Sequence, residues 1–496
     1  MEHSATKTPH LSSLANSPAA TGRLPFHAWV AIVFAIGTIG GVPHPLTASE
    51  DALATAPGIV SFAVEDNIVA SEAASEAASE SVRTPLSLED CIGLSLKNNL
   101  EIRAQQNALE ASRQKTREQM TLAKPRVGAR QIYTIQERVP SFGSSSLGDK
   151  ETAISQVSLT QPLYTFGRLE NGVRMVREEH RAQQAAAETT RADIVHRVVR
   201  GFLEVLKDRN RIRIANQTLE VLQEHLQLVE SLLEAGVVLN TDVSMTKVKM
   251  LESRQGLIEA RNSFDVSLLG LMQLTGISEE SAPELLDIPP MPLNASTTQE
   301  NLQQQPEILK LNHLIKAGED GFQIARKNNL PIVGLQWNWS TGNQFLEDFK
   351  SWNATVVLDF PFFDSGFTKA QRQQAASRLE QLKNLRDDAR QKFDLAIRKS
   401  ARKVREMQEK FALARQIEET AQENFTNLQV QYKEGGVMNT DVLEAQLALA
   451  NARIGVNNAY YDYVAFLADH YRSLGKIDEF VELVRQSRLA VSSKEE

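Results

Sequence analysis

A phrase that occurs twice constrains this chain more than any other feature. GVVLNTDV at Gly236 to Val243 returns as GGVMNTDV at Gly435 to Val442, 199 residues later, with six identical residues in matching places. Each copy interrupts a long helical pattern. Arg168 to Glu234 precedes the first copy and Phe367 to Lys433 the second, both proline-free runs of 67 residues, and a second helical run starts directly after each copy. The phrase carries its own turn chemistry. Gly236 or Gly435 ends a helix as the residue that takes positive φ at low cost. Asn-Thr-Asp then offers side-chain oxygens to the orphan amides of the next helix. Each copy is therefore expected to be the tip of a helical hairpin. At 1.5 Å per residue, a helix of this length is roughly 100 Å long, well beyond a globular core. Two such hairpins require an extended architecture.

The same order of elements runs through both halves, so the 496 residues read as one object built twice rather than as several domains. The first repeat spans 85–277, a proline-rich crossover 278–305, the second repeat 306–475 and a polar tail 476–496. Leu88, Ile92, Leu96, Leu100, Ile102 and Leu109 give the opening segment a continuous helical pattern that stops at Pro125. Val127 to Gln136 and Ile154 to Tyr164 then read as strands around a polar loop, with Pro162 near the end of the second. In the other half Pro331 is followed by Ile332 to Ser340, a polar loop, and Asn353 to Phe360 ending at Pro361. The two prolines of the first half recur after 206 and 199 residues. The seven-residue difference falls between the strands, where a surface loop tolerates it.

The strands have two different faces. Ala354, Val356, Leu358 and Phe360 alternate with Asn353, Thr355, Val357 and Asp359, while Val333, Leu335, Trp337 and Trp339 alternate with Gln336 and Asn338. Strands of this length, apolar on one side and polar on the other, suit a membrane β-barrel wall around a wet lumen, with Trp337, Val356 and Leu358 towards lipid. Four strands cannot close around a channel, so closure needs several copies of the chain. Leu219, Leu222, Leu226, Val229 and Leu233, and in the other half Val404, Met407, Phe411 and Ala414, step by three and four as a coiled-coil seam does. Leu443, Leu447, Ala450 and Ile454 mark the apolar face after the second tip. A short amphipathic piece, Ile477 to Val484, closes the pattern.

Ahead of all this, Ala28 to Ile39 is an apolar stretch of signal-peptide length, too short to span a membrane. A signal is expected over 1–48, cleaved after Ala48 or Ala54, followed over 49–84 by a low-complexity extension containing SEAASEAASE at Ser71 to Glu80. A net charge of −8 without any basic block argues against a nucleic-acid partner. Cys91, the single cysteine, lies on an apolar helical face and reads as buried, with no lipid-attachment context. No phosphate loop, dinucleotide glycine signature, HExxH or nucleophile elbow occurs, so neither an enzyme nor a cofactor is expected. His180, His196, His225 and His470 each lie on a helix without a partner at i+4 and read as surface or satisfied residues. Asp387 and Asp388 read as a solvated helix face.

The paired prolines, Pro125 with Pro331 and Pro162 with Pro361, together with the twin tips, resemble the TolC family of outer-membrane efflux proteins over Pro85 to about Gly475. EAGVVLNTDV at Glu234 to Val243 and YKEGGVMNTDVL at Tyr432 to Leu443 are similar to the family's two tip motifs. The resemblance implies a homotrimer, mainly α, in which each chain lends four strands to a twelve-stranded outer-membrane barrel and its helices to a periplasmic tunnel. It implies a passive exit duct for drugs, toxic compounds, metals or proteins. The partners would be a periplasmic adaptor protein and an inner-membrane pump or ABC transporter. On the family's pattern Thr241, Asp242 and Tyr432 make closing contacts at the periplasmic gate, and Asp441 and Glu444 form an acidic ring at the pore constriction. Gly236 with Val237, and Gly435 with Gly436, would be the adaptor docking tips. Val437 stands where the enterobacterial type protein has an arginine, so the closed entrance would be held differently here. The other reading open to the sequence is a periplasmic coiled-coil adaptor or tether without a channel.

Overall fold

One four-stranded sheet and two long helical hairpins make up the repeated part of the chain in the computed structural model, which describes residues 85–137, 141–143, 145–146, 151–278, 283–291, 305–344 and 347–495. The expected export signal, both candidate cleavage sites, the Ser71 to Glu80 repeat and the middle of the crossover lie outside the described residues. The first half runs α1 (Leu88–Asn98), α2 (Leu100–Thr121), β1 (Arg126–Ile135), a small hairpin β2 (Ser141–Phe142) and β3 (Ser145–Ser146), β4 (Glu151–Tyr164), α3 (Arg168–Glu234) and α4 (Asn240–Thr275). The second half runs α5 (Pro306–Lys327), β5 (Ile332–Gln344), β6 (Glu347–Asp359), α6 (Phe367–Lys433) and α7 (Asn439–Ser473), followed by α8 (Ile477–Glu495).

The opening helical pattern is not continuous. Asn99 leaves the helix at φ −63°, ψ 127° and caps the next one through Glu101 N at 2.9 Å. Asn98 and Asn99 both donate to carbonyls at the end of α4, Thr275 O and Leu274 O, each at 3.3 Å. Two adjacent side-chain amides thus hold the break, and Leu100 just after it is 76% exposed rather than on an apolar face. The tail also departs from expectation: α8 extends to Glu495 instead of ending near Val484, with Ile477, Phe480 and Val484 buried.

β1, β4, β5 and β6 pair antiparallel in that order. The loop expected between the second strand pair is mostly strand, since pairing continues through Gln344 and Glu347. Apolar alternation fades there, but the ladder needs only backbone groups, and the extension has no apolar face to announce it. Register places Val127, Leu159, Trp337 and Ala354 in one cross-strand row, and Ala129, Val157, Trp339 and Trp352 in another on the same face. The intervening row on the opposite face holds Gly128, Ser158, Asn338 and Asn353, the last two linked amide to amide at 3.2 Å. Over these rows one face is apolar and the other polar, a distinction that ends farther along the strands, where Gln131, Ser155, Thr341 and Lys350 form a row on the first face. Pro162 sits beyond the last β1 pair, Arg126 with Thr160, at a register shift against β5, where its missing N–H breaks no ladder on the β1 side.

Each long helix is entered through two successive left-handed residues, Phe166 (φ 53°) and Gly167 (79°) in one half, Ser365 (51°) and Gly366 (88°) in the other. Positive φ at Phe166 and Ser365 is costly for a side-chain-bearing residue. Asp364 offsets it by accepting from Gly366 N at 3.0 Å and Thr368 N at 2.8 Å, and Thr165 in the equivalent place accepts from Leu169 N at 3.4 Å. The chain thereby turns from strand to helix within a few residues. Two apolar cores lie along the helices. One, at mid-length, packs Ile194, Phe202 and Leu206 of α3 against Leu88 and Cys91 of α1, Leu271 of α4, Tyr463 and Leu467 of α7 and Phe480 of α8. Cys91 is fully buried there, and burial pushes its thiol up to about 12. The other core is at the tips.

Candidate functional site at the helix tips

The two copies of the repeated phrase fold alike. α3 ends at Glu234 and α6 at Lys433, with Gly236 at φ 74° and Gly435 at 76°. Val237 N reaches back to Leu232 O and Gly436 N to Gln431 O, each at 2.9 Å, so both tips close with the same backbone bond. The following helices do not start as the Asn-Thr-Asp pattern suggested. Leu239 and Met438 are the extended residues before the first turn, and the aspartate three positions on reaches back: Asp242 accepts from Leu239 N at 3.1 Å and Asp441 from Met438 N at 2.9 Å. The carboxylates thus serve the helix N-terminus, where the dipole also favours them. The asparagines are the first helical residues and are free for other work.

Only one asparagine takes it up. Asn240 is exposed, whereas Asn439 is 4% exposed. Its amide nitrogen donates to Asp242 O and Thr246 Oγ1, both at 3.1 Å, and its oxygen lies 2.8 Å from His225 Nε2. Asn439 therefore joins the second tip to both helices of the first hairpin. Since its oxygen can only accept, His225 carries its proton on Nε2, and Nδ1 is buried without a partner among the described residues. Burial holds the imidazole below its ordinary value, an effect the Asn439 bond opposes. Tyr432 lies over this ring, with centroids 5.4 Å apart and planes at 53°. Its hydroxyl is buried and also unpartnered among the described residues, and burial with Asp242 nearby pushes it up. Val229, Val243, Phe425 and Val442 enclose the group, and Val437 packs against them.

The structure therefore brings Asp242 and Tyr432 into one cluster, though without a hydrogen bond between them. Thr241 and Glu444 are exposed, and Asp441 is half-buried at its helix start. Gly236, Val237, Gly435 and Gly436 are exposed at the ends of the hairpins. Where the family's arginine would stand, Val437 contributes apolar contact, and the neutral His225–Asn439–Thr246 bonds join the hairpins instead. Sequence reasoning missed His225 and Thr246. Their signal was a departure from the repeat: 199 residues on, these positions are Asn424 and Ala445, so the halves differ where one hairpin receives the other. The other described histidines are satisfied across helices, His180 by Ser112 at 2.7 Å, His196 by Asp469 at 2.6 Å, His313 by Glu178 at 2.7 Å and His470 by Ser400 at 2.9 Å. Among the described residues no group of three or more histidine, cysteine or acidic side chains is placed to hold a metal, and no helix is long and apolar enough to cross a membrane.

Comparison with known proteins agrees with this geometry. Residues 91–277 and 297–476 match the family model described as outer membrane efflux protein. The alkaline protease secretion protein AprF of Pseudomonas aeruginosa is 26% identical over 357 residues, covering 67% of this chain and 71% of its own. The toluene efflux pump outer membrane protein TtgC of Pseudomonas putida is 23% identical over 413 residues, covering 78% and 82%. Among solved structures, the outer membrane protein VceC of Vibrio cholerae superposes with a TM-score of 0.68 at 16% identity over 78% of this chain and 96% of that one. The CmeC outer membrane channel of Campylobacter jejuni gives 0.69 at 16% identity over 81% and 89%.

Proposed function

This chain belongs to the outer membrane efflux protein family, and from that premise we propose that three copies form a continuous duct through the outer membrane and into the periplasm. It is an outer-membrane channel component of an efflux or type I secretion system, as its relatives are. Such components work with partners in a larger assembly. The observation that carries the trimer is the sheet. It is apolar on one face and polar on the other, yet β1 and β6 each have one edge unpaired within the chain. Open edges are not tolerated in hydrocarbon, and the alternating antiparallel order lets β6 of one copy accept β1 of the next. Three copies give twelve strands, enough for a lumen.

The helices support the same reading. Met245, Val248, Leu251 and Ile258 form an exposed apolar stripe along α4, and Leu395, Leu413 and Ile417 lie exposed on α6. Stripes of this kind on long helices call for a partner, and a second copy supplies one. In the trimer the tips would form the periplasmic entrance. Thr241, Asp242, Asp441 and Glu444 would face it, with Tyr432 packed behind them in the tip core, and Gly236, Val237, Gly435 and Gly436 would be presented to an adaptor that links the duct to an inner-membrane pump. A tether without a channel makes no use of a two-faced sheet.

Disulfide trapping tests the closure. In a Cys91→Ser background, cysteine at Ala354 on β6 is paired in turn with cysteine at Val127, Ala129 or Tyr133 on β1. Oxidation in membranes should yield a covalent trimer for the register that brings the two together. A monomer by light scattering in detergent, with strands intact by circular dichroism and no cross-linking in any combination, overturns the proposal.

A further inference from the structure

Where β6 hands over to α6, the chain reads Phe360-Pro361-Phe362-Phe363. Phe362 and Phe363 are 86% and 79% exposed, and Phe360 and Phe367 are more than half exposed. Phe360 and Phe362 wall a cavity of about 380 Å³ together with Arg326 at the end of α5 and Lys369 and Arg372 in the first turns of α6. None of these three cations forms an ion pair among the described residues. The one carboxylate at the cavity, Asp364, is occupied by the amides of Gly366 and Thr368. In a chain of net charge −8, three uncompensated cations beside an exposed phenyl cluster are unusual. Their position explains both features. The apolar face of β6, Val356 and Leu358, each 65% exposed, runs directly into Phe360 at the end of the wall from which the helices depart. In a membrane wall, phenyl rings there would meet acyl chains, and the cations lining the same cavity would meet phosphates.

We propose that this cavity is a binding site for the phosphodiester head group of an anionic phospholipid in the periplasmic leaflet, held by Arg326, Lys369 and Arg372 with its acyl chains against the Phe360–Phe363 cluster. The proposal rests on the reading of the sheet as a membrane wall with its helices on the periplasmic side. Arginine offers a planar donor fork to phosphate oxygens and lysine a mobile point charge. Removing one basic residue near an anionic membrane surface weakens head-group attraction roughly fivefold, so removing three weakens it about a hundredfold.

The test uses the full protein, purified from membranes and reconstituted in vesicles of phosphatidylcholine with one fifth phosphatidylglycerol. Co-flotation reports insertion, and native mass spectrometry in detergent reports the lipid retained. The native protein should retain phosphatidylglycerol in preference to phosphatidylcholine, unaffected by millimolar inorganic phosphate. Arg326→Gln/Lys369→Gln/Arg372→Gln should float as well as the native protein yet lose that lipid. Arg372→Gln alone should weaken retention about fivefold. Arg402→Gln/Arg405→Gln, two exposed cations about 50 Å along α6 from the cavity, should leave retention unchanged. Normal flotation with undiminished phosphatidylglycerol on the triple variant overturns the site while leaving the membrane wall in place. Displacement by inorganic phosphate makes it a free-anion site and overturns the lipid assignment. Preferential retention of lipopolysaccharide puts the cavity at the wrong leaflet. Failure of the native protein to float removes the wall and the proposal with it.

Discussion

Two asparagines at equivalent places in a repeated phrase have different fates. Asn439 is buried across three hydrogen-bonding partners and Asn240 is exposed. Asn439→Ala strands His225 Nε2–H and removes a donor from Thr246 Oγ1 and Asp242 O, which keep their own bond at 2.8 Å, and should cost about 1–3 kcal/mol of tip stability, whereas Asn240→Ala should stay within about 0.5 kcal/mol. The same network makes the tip acid-sensitive. Burial places the folded-state value of His225 below its ordinary 6.5, so its contribution is complete above about 6.5 and is lost as pH falls through the depressed value, with a limiting slope of about 1.4 kcal/mol per pH unit. Amide protection factors over residues 225–246 and 432–446, corrected for the intrinsic pH dependence of exchange, should fall from pH 7 to 5 in the native protein and stay flat in His225→Gln, which keeps a donor but does not titrate. Equal acid response in both proteins would move the effect elsewhere. None of this was legible in advance. The phrase announced that both tips turn, and its near repetition concealed that one of them is docked. Asn-Thr-Asp looked like a run of caps because each residue type caps helices. Only the aspartate is placed to do so once Leu239 and Met438 are the extended residues.

Among the elements, the long helices were the most legible. Their expected bounds, Arg168 to Glu234 and Phe367 to Lys433, coincide with α3 and α6, because absence of proline, a sustained apolar stride and a terminal glycine all point the same way. The strands were legible only where hydrocarbon forces alternation. Beyond Ser340 and before Asn353 the ladder continues through residues with no such pattern, and backbone pairing leaves no trace in composition. The break at Asn99 was hidden for a related reason, since a helix interrupted by tertiary hydrogen bonds keeps its apolar stride on both sides. The tips allow an element-level prediction. Gly236 and Gly435 have positive φ and no atom within 4 Å of where a Cβ would lie, so Gly236→Val and Gly435→Val act through backbone strain alone, about 1–2 kcal/mol each. Membrane insertion, governed by the distant sheet, should be unchanged, while efflux and cross-linking to a periplasmic adaptor fall. Unaltered resistance and cross-linking in both variants would argue against the tips as docking points.

At the scale of the whole molecule, a single chain shows the parts of a duct but not its bore. Asp441 and Glu444 lie three apart on α7, one half-buried and one exposed; in a trimer we expect six such carboxylates to converge on one axis and favour cations. Asp441→Asn/Glu444→Gln keeps an acceptor for Met438 N, so the helix start should survive while cation selectivity and block by divalent ions decline in planar-bilayer recordings. Selectivity that persists would place the constriction elsewhere. Four strands with two faces call for further copies of the chain, which is the closure proposed above. Which residues meet across copies was not legible, because a sequence specifies surfaces without naming what covers them. The equal length of α3 and α6, 67 residues each, has one more consequence. One residue gained or lost in either helix would turn everything beyond it by about 100° and advance it by about 1.5 Å, putting Val229 and Phe425 out of phase where the hairpins meet. The seven residues by which the two strand–loop–strand spans differ, Pro125 to Pro162 against Pro331 to Pro361, lie on the sheet side of these helices. The molecule thus behaves as a pair of matched rulers, free to vary in length above the zero mark and held to a common scale below it.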